Sequence, residues 1–426
     1  MLASEVFGIR TEISEHSYVD RGQLDSLVGS LAARNQHIAL KGESKSGKSW
    51  LRQGIFPKAN VIQCRISDTV ENIYRQILAN LDVLIRTEVN SSGGGIINFE
   101  ATGEAGWSFL AKASGKLAAE GTYSHETISR PVGRDELDLE FIASIVKASG
   151  RRVVIEDFHY LSTEPQRVIA HDLKTLWDYG VYVVVVGIWH RKNYLTYLNS
   201  DLAGRIAEVN VDWNESELKD SMQKGCAALN VHVHSDLVNR IAKISYSNIG
   251  ILQSLALNFM DVCGVRNRQE KTVELYDASK LDYAGMLYAE QLEAVYSLFA
   301  ERVSEGIRRR KNATQIYALS LWSVMEATDQ ELLSGLTLDW IFNRTHERQP
   351  RIQKSNLRTV LRKFKSLQED DRGKGIVLSY DDATDTLVLI DKGLLFFRTY
   401  TTATWPWERI AREEQDANTG LSDEED

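Results

Sequence analysis

The chain has 426 residues, 43% of them hydrophobic and 26% charged, with a formal net charge of −9. That length accommodates two or three domains, and that balance specifies a packed globular protein. Three cysteines, Cys64, Cys226 and Cys263, are widely spaced and odd in number, which argues against a disulfide framework or a zinc site.

No signal-peptide pattern opens the chain and no apolar run is long enough to span a bilayer, so a cytoplasmic protein with no membrane partner is expected. The net charge says little about partners, because part of the acidic excess lies in the tail. That tail, 411–426, ends Ser422-Asp423-Glu424-Glu425-Asp426 and reads as disordered.

Residues 1–37 read as a lead-in, in which Tyr18-Val19-Asp20-Arg21 precedes Leu24, Leu27, Val28 and Leu31 at helical spacing. The apolar run Ile38-Ala39-Leu40 then reads as a strand. It leads directly into Gly42-Glu43-Ser44-Lys45-Ser46-Gly47-Lys48-Ser49, a complete G-x-x-x-x-G-K-[ST] phosphate loop, and Trp50-Leu51-Arg52 opens a helix. Gly42 and Gly47 permit a tight turn in which backbone N–H groups converge on phosphates at the positive end of the helix. Lys48 is expected to reach the β- and γ-phosphates and the Ser49 hydroxyl to ligate Mg²⁺. The motif points to ATP or GTP. No Asn/Thr-Lys-x-Asp sequence of the kind that reads guanine is present, so ATP with Mg²⁺ is the expected pair.

A helix, a strand around Val61-Ile62-Gln63-Cys64 and a helix over 69–84 follow. Residues 86–133 break the pattern with Ser91-Ser92-Gly93-Gly94-Gly95 and further scattered glycines, and read as an insertion carrying a hairpin or short helix. It is either an inert surface excursion or a contact for a partner or ligand.

A helix over 137–148 feeds Val153-Val154-Ile155-Glu156-Asp157-Phe158, a β-branched run ending in two acids, as in a strand buried in a parallel sheet. Acids at that strand's carboxyl end lie beside the phosphate loop. Glu156 is expected to hold Mg²⁺ through its water shell and Asp157 to help polarise the attacking water. After a helix over 165–177, Tyr182-Val183-Val184-Val185-Val186-Gly187 forms another buried strand. Strands alternating with helices specify an α/β fold with a doubly wound parallel sheet.

Residues 214–265 read as all-helical, with Asn248 placed to cap the last helix and His232 and His234 as a capped loop pair, not metal ligands. From 313 to 400, three helices followed by a hairpin around Asp381-Asp382 describe a winged helix. Leu357, Val360, Leu361, Phe364 and Leu367 give its third helix a core face. Lys354, Arg358, Arg362 and Lys365 fall together on another face, and 344–365 holds eight Lys/Arg against one Glu. This is a footprint for the phosphate backbone of duplex DNA, or a face that docks on a partner protein or on acids of the chain itself. Arg308-Arg309-Arg310-Lys311 adds a second basic cluster, and Trp405-Pro406-Trp407 clamps the C-terminal end onto the body. The expected domains are 1–213, 214–300 and 301–410, then the tail 411–426.

With phosphate loop, Glu156-Asp157 strand, helical lid and winged helix in this order, residues 15–400 outside the insertion resemble AAA+ ATPases of the initiator, origin-recognition type, and equally the STAND signalling ATPases of bacteria. The resemblance implies a nucleotide-controlled switch, in which ATP closes the lid and favours assembly and hydrolysis reverses it. Gly42, Gly47, Lys48, Ser49, Glu156 and Asp157 carry that assignment. By the same resemblance Arg21 would pack near the adenine pocket, the alternative being a plain surface arginine, and His190 or Asn193 would lie near the γ-phosphate, the alternative being a satisfied loop residue. Arg205, in Asp201-Leu202-Ala203-Gly204-Arg205, is placed to reach a neighbouring subunit's nucleotide, which implies a homo-oligomer; the alternative is a bond within the subunit. Gln253 or Ser254 stands where many such proteins carry a lid arginine, which implies slow turnover. No effector motif appears, leaving room for a separate effector protein, as in bacterial antiviral defence and mobile-element systems.

Overall fold

The computed structural model describes residues 1–10, 13, 15–21, 23–89, 95–102, 104–113, 127–131, 139–189, 191–306, 314–368, 376–382 and 384–409, with backbone alone at 85–89, 95–98 and 127–131. The Arg308–Lys311 cluster, His190 and the acidic tail lie outside these residues. Contacts group the chain into two units, one of residues 11–13 and 20–212, the other of 1–10, 14–19 and 213–426.

In the first unit, β1 (His37–Lys41), β2 (Asn60–Gln63), β3 (Val83–Val89), β4 (Gly95–Ala101), β5 (Thr127–Pro131), β6 (Val153–Glu156), β7 (Val183–Gly187) and β8 (Ile206–Asn210) build two sheets. The larger has the order β2-β6-β7-β1-β8 with every neighbouring pair parallel. The valine-rich β6 and β7 are buried along their whole length, as strands covered on both faces must be. Period-two alternation divides the sheet between two cores. Ala39, Ile155, Val183 and Val185 face helices Val70–Ala79, Leu139–Ser149 and Thr163–Asp178. Ile38, Leu40, Val154, Val184 and Val186 face helices Leu24–Ala32 and Lys48–Ile55. The doubly wound arrangement expected from the sequence is present. β1 lies between β7 and β8 while β2 sits at the far edge, so the strand order switches beside β1. A crevice outside the strands' carboxyl ends forms at such a point.

The second sheet of this unit, β3-β4-β5, is antiparallel and falls largely in the segment expected as an insertion, though β3 begins at Val83, where the helix expected over 69–84 has already ended at Ala79. It is not peripheral at its root: Val83, Phe99 and Ala101, with Leu110 of helix Glu104–Ala113, are buried in the main core. Gly106 is required there, because a Cβ would come within 2.1 Å of the Asp82 carbonyl oxygen.

The second unit has one continuous core. Helices Glu215–Leu229, Ser235–Ile244 and Ile249–Val262 and the short parallel pair β9 (Val231–Val233) and β10 (Val273–Leu275) are followed by the long helix Ala278–Glu305. The Asn248 carboxamide oxygen accepts from the N–H groups of Gly250 and Ile251 at 2.9 and 3.3 Å, capping the third helix. Helices Ile316–Met325, Leu338–Arg348 and Lys354–Gln368 and strands β11 (Leu336–Thr337), β12 (Leu378–Asp381) and β13 (Thr386–Leu389) come next. The three strands pair antiparallel in the order β11-β13-β12. Trp405 and Trp407 stack with centroids 4.9 Å apart, and Trp405 meets Phe397 edge-on at 5.6 Å.

The first helix, Ala3–Phe7, belongs to this unit and not to the sheet that follows it in sequence. Ala3, Val6 and Phe7 are buried among residues of helices Glu215–Leu229 and Ile249–Val262. Gly225 leaves room for the Phe7 ring, which a Cβ would meet at 2.5 Å.

Candidate functional site

The phosphate loop leaves β1 at Lys41 and re-enters helix Lys48–Ile55 through Gly47, whose φ of 85° is left-handed. Gly42 is needed for a different reason: a Cβ would lie 2.8 Å from Ser46 Oγ and 2.9 Å from the Val211 carbonyl oxygen. Between them, Glu43, Ser44 and Lys45 form the outer turn, with Lys45 also left-handed at φ 59°. Ser46 is buried, and the Arg21 guanidinium donates to its carbonyl at 3.3 Å, with Arg21 itself only 3% exposed. Arg21 thus supports the phosphate loop from behind.

The Lys48 ammonium folds back into its own loop, donating to the carbonyl of Gly42 at 3.0 Å, to that of Glu43, and to Ser46 Oγ at 3.4 Å. Burial pushes its pKa down to about 8, against the pull of Asp157, Glu43, Glu156 and Asp212. Ser49 follows on the exposed side of the first helical turn.

Glu156 and Asp157 stand at the carboxyl end of β6. By alternation Glu156 shares the face of Val154, towards helix Lys48–Ile55. There Arg52 Nε donates to Glu156 Oε1 at 2.9 Å, with the two side chains 13% and 9% exposed. Removing one partner of so buried a pair costs roughly 3–5 kcal/mol. The carboxylate expected to face the metal is therefore already paired. Asp157, left-handed at φ 56°, takes a hydrogen bond from Gln63 Nε2 at 2.7 Å and is foremost among the charges acting on Lys48.

Two further groups were not read from sequence. His159 Nδ1 is enclosed and has no partner among the described residues; burial pushes its imidazole down to about 4, with Asp157 opposing and Lys48 adding to the shift. Glu208 on β8 gathers the β7 tip. Its carboxylate accepts from Trp189 Nε1 and the Asn193 N–H, each at 2.9 Å, and from the Tyr194 N–H at 3.2 Å. It also pairs with Lys41 Nζ at 3.0 Å. Burial raises its pKa, but those bonds outweigh burial and hold it below the usual carboxylate range. Tyr194 in turn donates its hydroxyl to Gln166 at 2.6 Å, and Gln166 donates to the carbonyls of Leu161 and Phe158 at 2.7 and 3.3 Å. One chain of hydrogen bonds thus joins β8, the β7 tip and the loop after Asp157. Spacing is the sequence signal for two of the site's unexpected groups: Arg52 stands one helical turn beyond Lys48, and His159 two residues beyond Asp157; Glu208 carries none.

Not all expected residues meet here. Arg205 precedes β8 at the amino edge of the sheet, where its carbonyl accepts from the His37 N–H at 2.8 Å, opposite to the edge that carries the phosphate loop. Its guanidinium lies over the Trp177 ring at 4.9 Å and donates to the Asp201 carbonyl. The basic helix face lies in the other unit and is largely charge-paired. Arg358 donates to Asp385 through Nε and a terminal nitrogen at 3.1 and 2.7 Å, Arg362 Nε meets Asp382 at 2.6 Å, and Lys354 pairs with Asp339. Lys365 completes that face in sequence and also has an interaction partner. His232 bonds Glu274 at 2.5 Å and His234 caps its helix. Among the described residues no group of three or more His, Cys, Asp or Glu is placed to hold a metal, and no helix is long and apolar enough to cross a membrane.

A glycine-turned loop between a central parallel strand and a helix, with a lysine at its centre and two acids on a nearby strand end, decides the fold class. This is an α/β P-loop core. No protein-family model and no curated protein matches the chain. Solved structures similar to it include a Walker-type ATPase of Pyrococcus abyssi, at 13% identity and a TM-score of 0.49 over 93% of this chain and 99% of that one. The Orc1 protein of Aeropyrum pernix in complex with DNA is similar at 12% identity and a TM-score of 0.39, over 90% and 92% of the two chains. A STAND protein of Pyrococcus horikoshii with a tetratricopeptide-repeat sensor is similar at 13% and 0.37, over 90% of this chain and 42% of that one. None of these scores reaches 0.5, so the fold assignment rests on the strand order and the loop geometry.

Proposed function

We propose that the chain binds ATP with Mg²⁺, hydrolyses it slowly and acts as a nucleotide-controlled switch in assembly or effector control. The observation that carries this reading is the convergence of the loop, Lys48 and the Glu156–Asp157 strand end at one edge of the sheet. The donor set suits a nucleotide: the cradle at Gly42 excludes a side chain, and among the described residues Lys48 is hydrogen-bonded to loop groups that phosphate oxygens can replace. Backbone N–H groups of residues 43–49 and the helix amino end receive the phosphates, Lys48 neutralises the β- and γ-positions, and Ser49 with the acid pair forms the protein side of a metal site. Mg²⁺, when bound with the nucleotide, neutralises phosphate charge and polarises the γ-phosphoryl group. A carboxylate of the acid pair accepts the proton of the attacking water or orients it. Calorimetric titration with ATP tests the reading: the wild type binds and Lys48→Ala does not. An absence of binding by the wild type would sink it.

For the downstream role, the ion pairs of Arg358, Arg362 and Lys354 with acids of their own domain favour a winged helix that serves as a docking surface for a partner protein. Duplex DNA bound through Lys354, Arg358, Arg362 and Lys365 is the competing reading, and a gel-shift assay at two salt concentrations separates them. Self-association on ATP binding, with Arg205 reaching a neighbour, and service in antiviral defence or a mobile-element system complete the proposal.

A further inference from the structure

The acids Glu156 and Asp157 are adjacent, yet they stand in different surroundings. Glu156 is turned to helix Lys48–Ile55 and shares a nearly solvent-free contact with Arg52. Asp157 is turned out of the strand by its left-handed backbone, partly exposed, and bound by the neutral amide of Gln63. A cation approaching Glu156 meets a guanidinium already there; Asp157 has no ion-paired cation among the described residues, and Lys48 donates to the carbonyls of its own loop. Withdrawing Arg52 would strand a buried carboxylate, so the pair resists exchange.

We propose that Arg52 is a positioning residue that serves as the fixed counter-ion of Glu156, leaving Asp157 as the acid that answers to the divalent cation carried by the nucleotide. The proposal rests on the nucleotide-binding reading above. It reverses the division of labour expected from the order of the two acids. It also explains what a longer Glu does in the first position: its extra methylene lets the carboxylate reach back to a helix residue one turn beyond Lys48. With Glu156 neutralised from within, the charge that Mg²⁺ must offset beside the phosphates is smaller by one.

The test reads the affinity of the full chain for ATP with Mg²⁺ and with a chelator, and takes the ratio as the metal dependence. Asp157→Asn is expected to narrow that ratio, by on the order of tenfold for one charge at close range. Glu156→Gln is expected to narrow it less than Asp157→Asn does, because it frees Arg52 to attract metal-free ATP but leaves the acid that answers to the metal in place. Arg52→Met is expected to widen the ratio by a similar factor, because the unpaired Glu156 then repels metal-free ATP. Arg52→Lys should restore it, and so should adding Glu156→Gln to Arg52→Met. If Glu156→Gln alone narrows the ratio while Asp157→Asn leaves it unchanged, the proposal is overturned. The two single acid variants decide the matter even if Arg52→Met does not fold. A wild type that binds ATP under neither condition removes the nucleotide reading itself, a result distinct from either pattern.

Discussion

The Val183 N–H donates to His37 Nδ1 at 2.9 Å, which fixes the other ring nitrogen, Nε2, as the donor to the Leu173 carbonyl at 2.8 Å. A neutral imidazole with no exposed surface therefore ties the start of β1 to the start of β7 and to helix Thr163–Asp178. Burial pushes its pKa down to about 4, with the bond to the Leu173 carbonyl opposing the shift and the nearby Arg152 adding to it. The folded value lies below the unfolded one, so the stabilisation is complete above about pH 6.5 and is lost as pH falls towards 4. Denaturant midpoints measured between pH 7 and 4 should show a loss on the order of 3 kcal/mol from this residue. His37→Leu should be less stable at pH 7, since two buried backbone groups lose their partner at roughly 1–3 kcal/mol each, but should lose less on acidification. Equal acid slopes in the two proteins would show that His37 does not govern the effect.

Lys48 has the opposite pH range. Its pKa near 8 in the ligand-free protein should rise when phosphates surround it, so ATP binding takes up a proton between about pH 8 and 10 and none at pH 7. Calorimetry at pH 8.5 in two buffers of different ionisation enthalpy should give different apparent binding enthalpies, and affinity should fall as pH rises above 8. A buffer-independent enthalpy at that pH would contradict the assignment.

Arg205→Ala separates a trans role from a local one. If the residue reaches a neighbour's nucleotide, the variant keeps ATP binding, loses about a thousandfold or more of hydrolysis, and wild-type activity per subunit rises with protein concentration. If the Trp177 contact is its whole purpose, stability drops by about 0.5–1 kcal/mol and hydrolysis is normal. Mass measurement with a non-hydrolysable ATP analogue gives the oligomeric state directly.

Wild-type protein is expected to leave duplex DNA unshifted in low salt, because Asp382 and Asp385 already answer Arg362 and Arg358. Replacing both acids with Asn should create salt-sensitive DNA binding where there was none. A wild-type shift whose salt slope shallows in Arg358→Ala would instead favour DNA as the natural partner.

The sheet and the loop were legible in the sequence because both are local. Four consecutive valines in β7 admit few alternatives to a strand buried on both faces, and the glycines at 42 and 47 mark a backbone path that side chains forbid. What decides the electrostatics is not local. Arg52 and Glu156 are 104 residues apart, and two of the acids that quench the basic helix come from a hairpin beyond it, 20 and 27 residues from their partners. A run of lysines and arginines looks equally charged whether its counter-ions are water-borne or supplied by the next strand. The enclosed His159 follows the same rule, since nothing in Phe158-His159-Tyr160 announces an imidazole nitrogen with no hydrogen-bond partner among the described residues.

The helix Ala3–Phe7 bears on how the molecule can be taken apart. A clone beginning at Trp213 contains every described helix and strand of the second unit after the first helix yet omits the Phe7 ring, and Gly225 offers no atoms to refill the space. Such a fragment would expose a groove along helices Glu215–Leu229 and Ile249–Val262. Its aggregation would say nothing about whether that unit folds without the parallel-sheet unit. Supplying residues 1–19 in trans, or fused ahead of Trp213, is the dissection that respects the packing.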